Sequence, residues 1–402
     1  SRVVQINAAL ARPSLAGLDG PITSQEVDRH ISVTKNKAPG SDQIPVIALK
    51  NLNKDNRKIL VSILNNVFQS SIIPRDWPKG HIVPIPKPGQ PDAKRSITLL
   101  QTASKLMERV VCDRMKYSIY ISGHKTPTEQ FGFRPARSAQ HCFSTMIDLL
   151  YKAKGQKANS IVIYLDLEKA FELIDHTVLL AALAARGVQG KILAYIKSYL
   201  EGRSARVGFQ GKVSDYYELE NGVPQGGILS PTIFNMVVEE IHALHLPNTQ
   251  ILSYADDIAI VVTKKGWNPE TGTAFTIAQK ALKLVAAKCC ELGLKISPAK
   301  TKAISFFNTN YTAKLSLGTQ LLDWDSTYKY LGIIFDRHLT FIPEMRYLLS
   351  RMHSRINILN SISGITWGAS EANLNLFYCN GIRSIVDYAA PALITALPMT
   401  IG

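Results

Sequence analysis

Long apolar runs are missing from this 402-residue chain, and no stretch approaches the roughly 20 consecutive apolar residues that a spanning helix needs, so no membrane partner is expected. No charged flank precedes an apolar segment at the start, which argues against a secretory signal, and the chain opens on Ser1 without Met, as an excised or processed piece would. Cysteine is scarce. Cys112, Cys142, Cys289, Cys290 and Cys379 form no C-x-x-C spacing, which excludes a zinc-ribbon pattern and a disulfide framework and fits a reduced, intracellular setting in cytoplasm and nucleus. Internal repeats and low-complexity tracts are absent, which excludes a solenoid. Acids are also in short supply: 31 Asp and Glu face 46 Lys and Arg, for a net charge of +15. A partner rich in phosphate is the natural counterpart of such a surplus.

What is present is enough apolar material for a large core, 46% of the chain, and a length that suits two or three subdomains. Residues before about Ile22 carry Pro13, Gly17, Gly20 and Pro21 and read as an irregular arm, after which Thr23 and Glu26 form a capping-box pattern for a short helix. Ile59, Ile63, Leu64, Val67 and Phe68 recur at helical spacing and stop before Pro74. The proline-rich piece from Trp77 to Pro91 reads as an edge strand or hairpin. Lys94, Arg95, Lys105, Arg109, Arg114, Lys116, Arg134 and Arg137 then gather around Phe131 and Phe133, a mixture suited to phosphate contact and base stacking. Helices are expected from His176 to about Leu200 with a break near Gly187, from Ile228 to Leu246, and from Thr273 to Leu292 with Gly293 as C-cap. Strands are expected near Ala303–Phe307 and across Tyr330–Phe335, with helices again after Asp336. His124 and His176 have no ligand spacing and read as ordinary residues.

The most informative stretch is Tyr254-Ala255-Asp256-Asp257, two adjacent carboxylates at a bend between apolar strands. Neighbouring aspartates repel one another and suit a strand poorly unless a turn or a cation compensates them. Another apolar strand, Ile161-Val162-Ile163-Tyr164-Leu165, ends in Asp166. Three convergent carboxylates are oxygen ligands of the kind that magnesium takes, with positions left for water and phosphate.

The ordered motifs resemble a reverse transcriptase, most closely the enzyme of non-LTR (LINE-type) retrotransposons. Asp166-Leu167-Glu168-Lys169-Ala170-Phe171 is similar to the first catalytic motif, Gly222 to Pro231 to the second and Tyr254 to Asp257 to the third. Gly293 to Thr301 resembles the fourth, and Tyr330-Leu331-Gly332 the primer grip. Upstream, Lys37 to Pro45 resembles the loop ahead of the fingers, and Gln130 to Arg134 a template-contacting segment. Two departures stand out: Glu172 follows Ala170-Phe171 where the family has Asp, and Lys94-Arg95-Ser96-Ile97 replaces Tyr-Arg-Pro-Ile.

The resemblance implies an α+β right-hand polymerase: an N-terminal arm at 1–24, fingers with an extension loop at 25–158, a palm of antiparallel sheet at 159–336 with 177–226 partly returning to the fingers, and a helical thumb at 337–402. It implies two Mg2+ ions, replaceable by Mn2+, on Asp166, Asp256 and Asp257, with Lys300 as general acid toward the leaving pyrophosphate and Lys302 as its competitor for that role. Lys87 and Arg95 would hold the triphosphate, Phe171 would bar a ribose 2'-hydroxyl, and Gln225 and Gly226 would seat the nucleotide. Arg134, Arg137, Lys105, Tyr330 and Gly332 would contact nucleic acid. Expected partners are an RNA template, a DNA or RNA primer, deoxynucleotides, and an endonuclease module in the full-length protein. The rivals are a mobile group II intron-type reverse transcriptase, a non-catalytic RNA-binding derivative and, less favoured because of Phe171, an RNA-dependent RNA polymerase.

Overall fold

A computed structural model of the chain describes residues 1–87, 90–266, 273–307, 311–364 and 366–395, with backbone alone at 87 and 90–93. Helices and mostly antiparallel sheets are mixed along the chain, an α+β arrangement, and its contacts divide it into two compact units.

The first unit comprises residues 1–127, 168–243 and 288–295. Its start is not irregular, as the prolines and glycines suggested: Arg2–Leu10 is a helix that buries Ile6 and Ala9 and packs on the helices His176–Ala185 and Gly190–Leu200. The Pro and Gly residues all fall after its end, so nothing in the helix opposes it. Thr23 and Glu26 form the full capping box that opens Ser24–Val33. Glu26 has a second partner. Arg114 binds its carboxylate at 2.8 and 2.9 Å and also donates to the carbonyls of Leu18, Gly20 and Pro21. A guanidinium spent on five acceptors and 8% exposed is a staple between the arm and the helix Thr102–Ile121, so Arg114 leaves the nucleic-acid group in which its charge had placed it.

The helix Lys54–Ser70 turns Leu60, Leu64, Val67 and Phe68 inward, while Ile59 and Ile63 stay exposed. Its buried stripe therefore starts one residue later than the apolar spacing suggested. The proline-rich piece is a hairpin, Lys79–Lys87 against Gln90–Leu99, and its first strand also pairs in parallel with Arg203–Phe209. That parallel pairing runs from Lys79 to Ile82 and stops before Pro84, whose missing N–H cannot continue a ladder.

The second unit comprises residues 128–167, 244–287 and 296–402. Its antiparallel sheet has the order Lys302–Phe306, Asn159–Leu165, Asp257–Lys264, Thr249–Tyr254. Asn159–Leu165 is buried on both faces from Ser160 onward, which explains why it reads as an unbroken apolar run rather than an alternating one. The helix Ala139–Gly155 covers the sheet with Cys142, Phe143, Met146, Ile147 and Leu150 at three- and four-residue spacing. Each such side chain contributes about 1.5–3 kcal/mol by leaving water.

Tyr330–Phe335, expected as one strand, is the heart of a hairpin. Thr327–Tyr330 pairs with Ile333–Asp336, and Leu331-Gly332 is the two-residue turn, with φ of 46° and 88°. Two consecutive positive φ values match the twist of a tight hairpin, and leucine at the first gives no turn signal in sequence. Asp336 then accepts the amides of His338, Thr340 and Phe341, bending the chain into the helix Ile342–Ser361. Glu371–Phe377, a π turn at Tyr378–Arg383 and Ser384–Leu393 complete the helical end.

Candidate active site

The strand register in the second unit fixes the aspartates. Leu165 pairs with Ile258, so Asp166 and Asp257 occupy the next step of the same antiparallel register. Tyr254 pairs with Asp257, which leaves Ala255-Asp256 as the turn, with Ala255 at φ 59°. Gly132 presses on this bend: a Cβ there would lie 2.4 Å from the Ala255 nitrogen. Phe131 N donates to Ser253 O at 2.8 Å and Ser253 N to Glu129 O at 3.0 Å, so residues 129–131 extend the pairing of the strand that enters the bend.

Although Asp257 keeps an exposed face, its carboxyl is pushed up to about 6, first by desolvation and then by the charges of Asp256 and Asp166. That crowding is the fit a cation requires, and hard carboxylate oxygens suit a divalent ion of the magnesium class. Among the described residues, however, no three His, Cys, Asp or Glu side chains are grouped closely enough to hold a metal ion as they stand. The site is Asp256 and Asp257 at one bend with Asp166 at the end of the neighbouring strand, rather than a closed ligand cage.

Lys300 reaches this bend and Lys302 does not. Ser297 N donates to Asp166 O at 2.8 Å, tying the loop that carries Lys300 to the strand end, and Lys300 Nζ lies 3.7 Å from Asp166 Oδ2. Lys302 faces Asp325 instead, at 3.7 Å. The Tyr164 ring stacks on Tyr328 at 4.4 Å and tilts against Tyr330 at 5.2 Å, an aromatic bed two residues before Asp166. Tyr330 is buried with its hydroxyl 3.6 Å from Cys142 Sγ, whereas Gly332 sits in the turn beyond it. Phe131 is only 2% exposed and lies under the Arg137 guanidinium, so it cannot stack on a base; Phe133 is exposed and can. Arg134 donates to Gln130 O at 2.9 Å.

In the first unit the glycine turn docks on the segment that follows Leu167. Gly222 N donates to Ile174 O and Val223 N to Phe171 O, and a Cβ on Gly222 would meet Glu172 O at 2.4 Å. The Phe171 ring stacks on Phe234 at 4.4 Å. Thr98 N donates to Gln225 O at 2.8 Å, and Gly226, at φ 143°, lies so close that a Cβ would fall 2.3 Å from Thr98 O. Phe171, Gln225, Gly226 and the strand Gln90–Leu99 with its exposed Arg95 are thus joined through backbone. The Lys87 side chain lies outside the described residues.

Sequence reasoning missed Glu108. Its Oε2 accepts Ile228 N, Leu229 N and the Tyr199 hydroxyl, and burial raises its carboxyl above the ordinary range. This fully buried acid pins the chain just after the glycine turn. Its signal was a carboxylate on the apolar stripe of Met107, Val111 and Met115. Three residues away, Lys105 lines a cavity of about 80 Å³ with Lys35, Lys37, Arg109 and Gly226, and burial lowers its amine. His176 bonds Gly222 O and His124 bonds Glu239, so neither is a ligand.

Comparison with known proteins identifies the family. Residues 85–335 match the family described as reverse transcriptase (RNA-dependent DNA polymerase). The chain is 29% identical to the probable RNA-directed DNA polymerase from transposon BS of Drosophila melanogaster, over 88% of this chain and 40% of that protein. It is also 29% identical to the RNA-directed DNA polymerase from mobile element jockey of Drosophila funebris, over 94% and 41%. A retrovirus-related Pol polyprotein from the retrotransposable element R2DM of Drosophila melanogaster is 25% identical over 83% and 31%. The chain thus spans about 40% of the length of the first of these relatives. A solved structure, apo telomerase from Candida tropicalis truncated from its C-terminal domain, aligns with TM-score 0.45 and 12% identity over 69% of this chain and 59% of that one. With more than half its length in the family match, the chain belongs to the reverse transcriptases, of the type found in non-LTR retrotransposons.

Proposed function

We propose that the chain copies RNA into DNA by adding deoxynucleotides to a primer 3'-hydroxyl. The observation that carries this reading is the bend itself: Asp166 and Asp257 at one register step, Asp256 in the turn between strands, and Lys300 beside them. Asp166, Asp256 and Asp257 would hold divalent cations of the kind this family uses. Bound there, the ions would polarise the attacking hydroxyl and neutralise the phosphates. Lys300, 3.7 Å from Asp166, would give a proton to the departing pyrophosphate. Arg95, with Lys87, would clamp the triphosphate, Gln225 and Gly226 would seat the nucleotide, and the Phe171 ring, held on Phe234, would exclude a 2'-hydroxyl. The Leu331-Gly332 turn would hold the primer, whereas Tyr330, expected as a contact, is buried beneath it and could act only by shaping the turn; Arg134, Arg137 and Lys105 would hold the template.

In this reading the fingers occupy 25–158, the palm 159–336 with 177–226 shared with the fingers, and the thumb 337–402. The helix Ala139–Gly155 packs on the aspartate sheet, which favours ending the fingers earlier, near Pro127. An endonuclease in the full-length protein would supply the primer by nicking DNA. No helix among the described residues is long and apolar enough to cross a membrane.

Primer extension on an RNA template with Mg2+ tests the reading. Wild type should extend with deoxynucleotides only. Asp256→Asn should not extend while still binding RNA, and Phe171→Val should begin to accept ribonucleotides. Extension by Asp256→Asn would refute the metal assignment, and unchanged ribonucleotide rejection by Phe171→Val would remove the gate.

A further inference from the structure

The Leu331-Gly332 turn is held by a residue well beyond the matched domain. Tyr388, on the helix Ser384–Leu393, donates its hydroxyl to Leu331 O at 2.6 Å, 57 residues away along the chain. Its ring also meets the turn: a Cβ on Gly332 would lie 3.3 Å from Tyr388 Cε1 and 3.6 Å from its hydroxyl oxygen. The ring is itself fixed edge-on against Phe143 at 5.8 Å. The Gln140 amide donates to the carbonyls of Asp387 and Tyr388 at 3.1 Å each, anchoring that stretch of helix to the helix Ala139–Gly155.

This arrangement answers a conformational problem. Leu331 stands at φ 46° and Gly332 at 88°, and the first of these is costly for a residue with a side chain. Such backbone persists where surrounding contacts over-determine it, commonly at functional sites. Tyr388 supplies the contact from outside the hairpin. Burial and the nearby Tyr254 push the phenol upward, so it remains a donor.

We infer that Tyr388 is a positioning residue for the primer end: its hydroxyl holds the Leu331-Gly332 turn in shape, so this seat depends on a helix outside residues 85–335. The inference rests on the reading of the turn after Tyr330, Leu331-Gly332, as a primer contact. Steady-state extension with the 402-residue chain tests it, varying primer–template and deoxynucleotide separately. Tyr388→Phe keeps the ring and its packing and loses only the hydroxyl. It should raise KM for primer–template by roughly 3- to 10-fold, the scale of one lost hydrogen bond, with KM for deoxynucleotide unchanged. Gly332→Ala, which puts a side chain at φ 88° and presses a methyl tightly on the same ring, should give the same split. The double variant should fall short of the product of the two effects, because both disturb the same two-residue turn.

If Gly332→Ala shifts primer KM and Tyr388→Phe leaves it untouched, the turn holds the primer and Tyr388 does not govern it, which overturns the inference alone. If neither Gly332→Ala nor Tyr330→Ala changes primer KM in an enzyme that still extends, the primer-contact reading fails and takes the inference with it. A fall in Tm with no separation between the two KM values would assign Tyr388 a purely structural role and equally overturn the proposal.

Discussion

The aspartate bend and the glycine turn are built on opposite principles. At the bend, backbone register sets Asp166 and Asp257 on neighbouring strands with Asp256 in the turn, and Asp257 is pushed up to about 6 by desolvation and by the charges of Asp256 and Asp166, while Lys300, with an exposed side chain, stands 3.7 Å from Asp166. At the glycine turn, each step of backbone is clamped. Gly222 lies on Glu172, Gly226 on Thr98, and Gly227 is enclosed by Tyr199, Ser230 and Glu108. One region crowds like charges at an exposed bend, and the other removes conformational freedom from its backbone.

The largest effect should come from the bend. Asp256→Asn should lower kcat by on the order of 10³-fold or more, since it removes several kcal/mol of metal-dependent stabilisation. The contrast sharpens in a thermal melt. Mg2+ should raise Tm of wild type through preferential binding to the folded chain and leave Asp256→Asn nearly unmoved. In EDTA the Mg2+-dependent difference between Asp256→Asn and wild type should disappear. A lower melt there would mean that the carboxylate is structural.

An intermediate effect is expected from the glycine turn. Gly226→Ala places a methyl 2.3 Å from the Thr98 carbonyl at a φ that favours glycine, so the turn must shift. Deoxynucleotide kcat/KM should fall by about 10-fold or more, because a displacement near 1 Å is costly to a positioned reactant. Primer KM should not change, and an equal rise in both would show that the turn does not act on the nucleotide alone.

What was legible in sequence divides along the same line. The aspartates stood out because adjacent carboxylates interrupt apolar runs at a bend, and the helix Gly190–Leu200 was marked by Ile192, Leu193, Ile196 and Leu200 on one face, with Gly187 setting it apart from His176–Ala185. Contacts across the chain left no such trace. Nothing near Arg114 announces that its partner is Glu26, 88 residues away, and its charge alone suggested a phosphate. The hairpin at Tyr330–Ile333 was hidden because Leu331 looks like strand, and it takes a left-handed conformation in a turn held by Tyr388. Local pattern reports propensity, whereas these features come from tertiary contacts that override it.

The smallest expected effect, on stability rather than rate, concerns the residue beneath the glycine turn. Glu108→Ala would leave the amides of Ile228 and Leu229 and the Tyr199 hydroxyl without their acceptor, and orphaned buried groups of this kind cost about 1–3 kcal/mol. The denaturation midpoint should fall accordingly, with deoxynucleotide KM rising as the turn loosens. Glu108→Gln separates shape from charge. Desolvation raises the Glu108 carboxyl above its unfolded value despite the nearby Arg203, so its contribution to stability is fully present below the unfolded pKa near 4.5 and is lost as pH rises through the folded one. Glutamine does not titrate. Relative to Glu108→Gln, wild type should therefore lose ground as pH rises above about 4.5, measured by urea midpoints at successive pH values. A constant gap across that range would mean that Glu108 ionises in the folded chain as easily as in water, and that the turn rests on a charged acceptor rather than a neutral one.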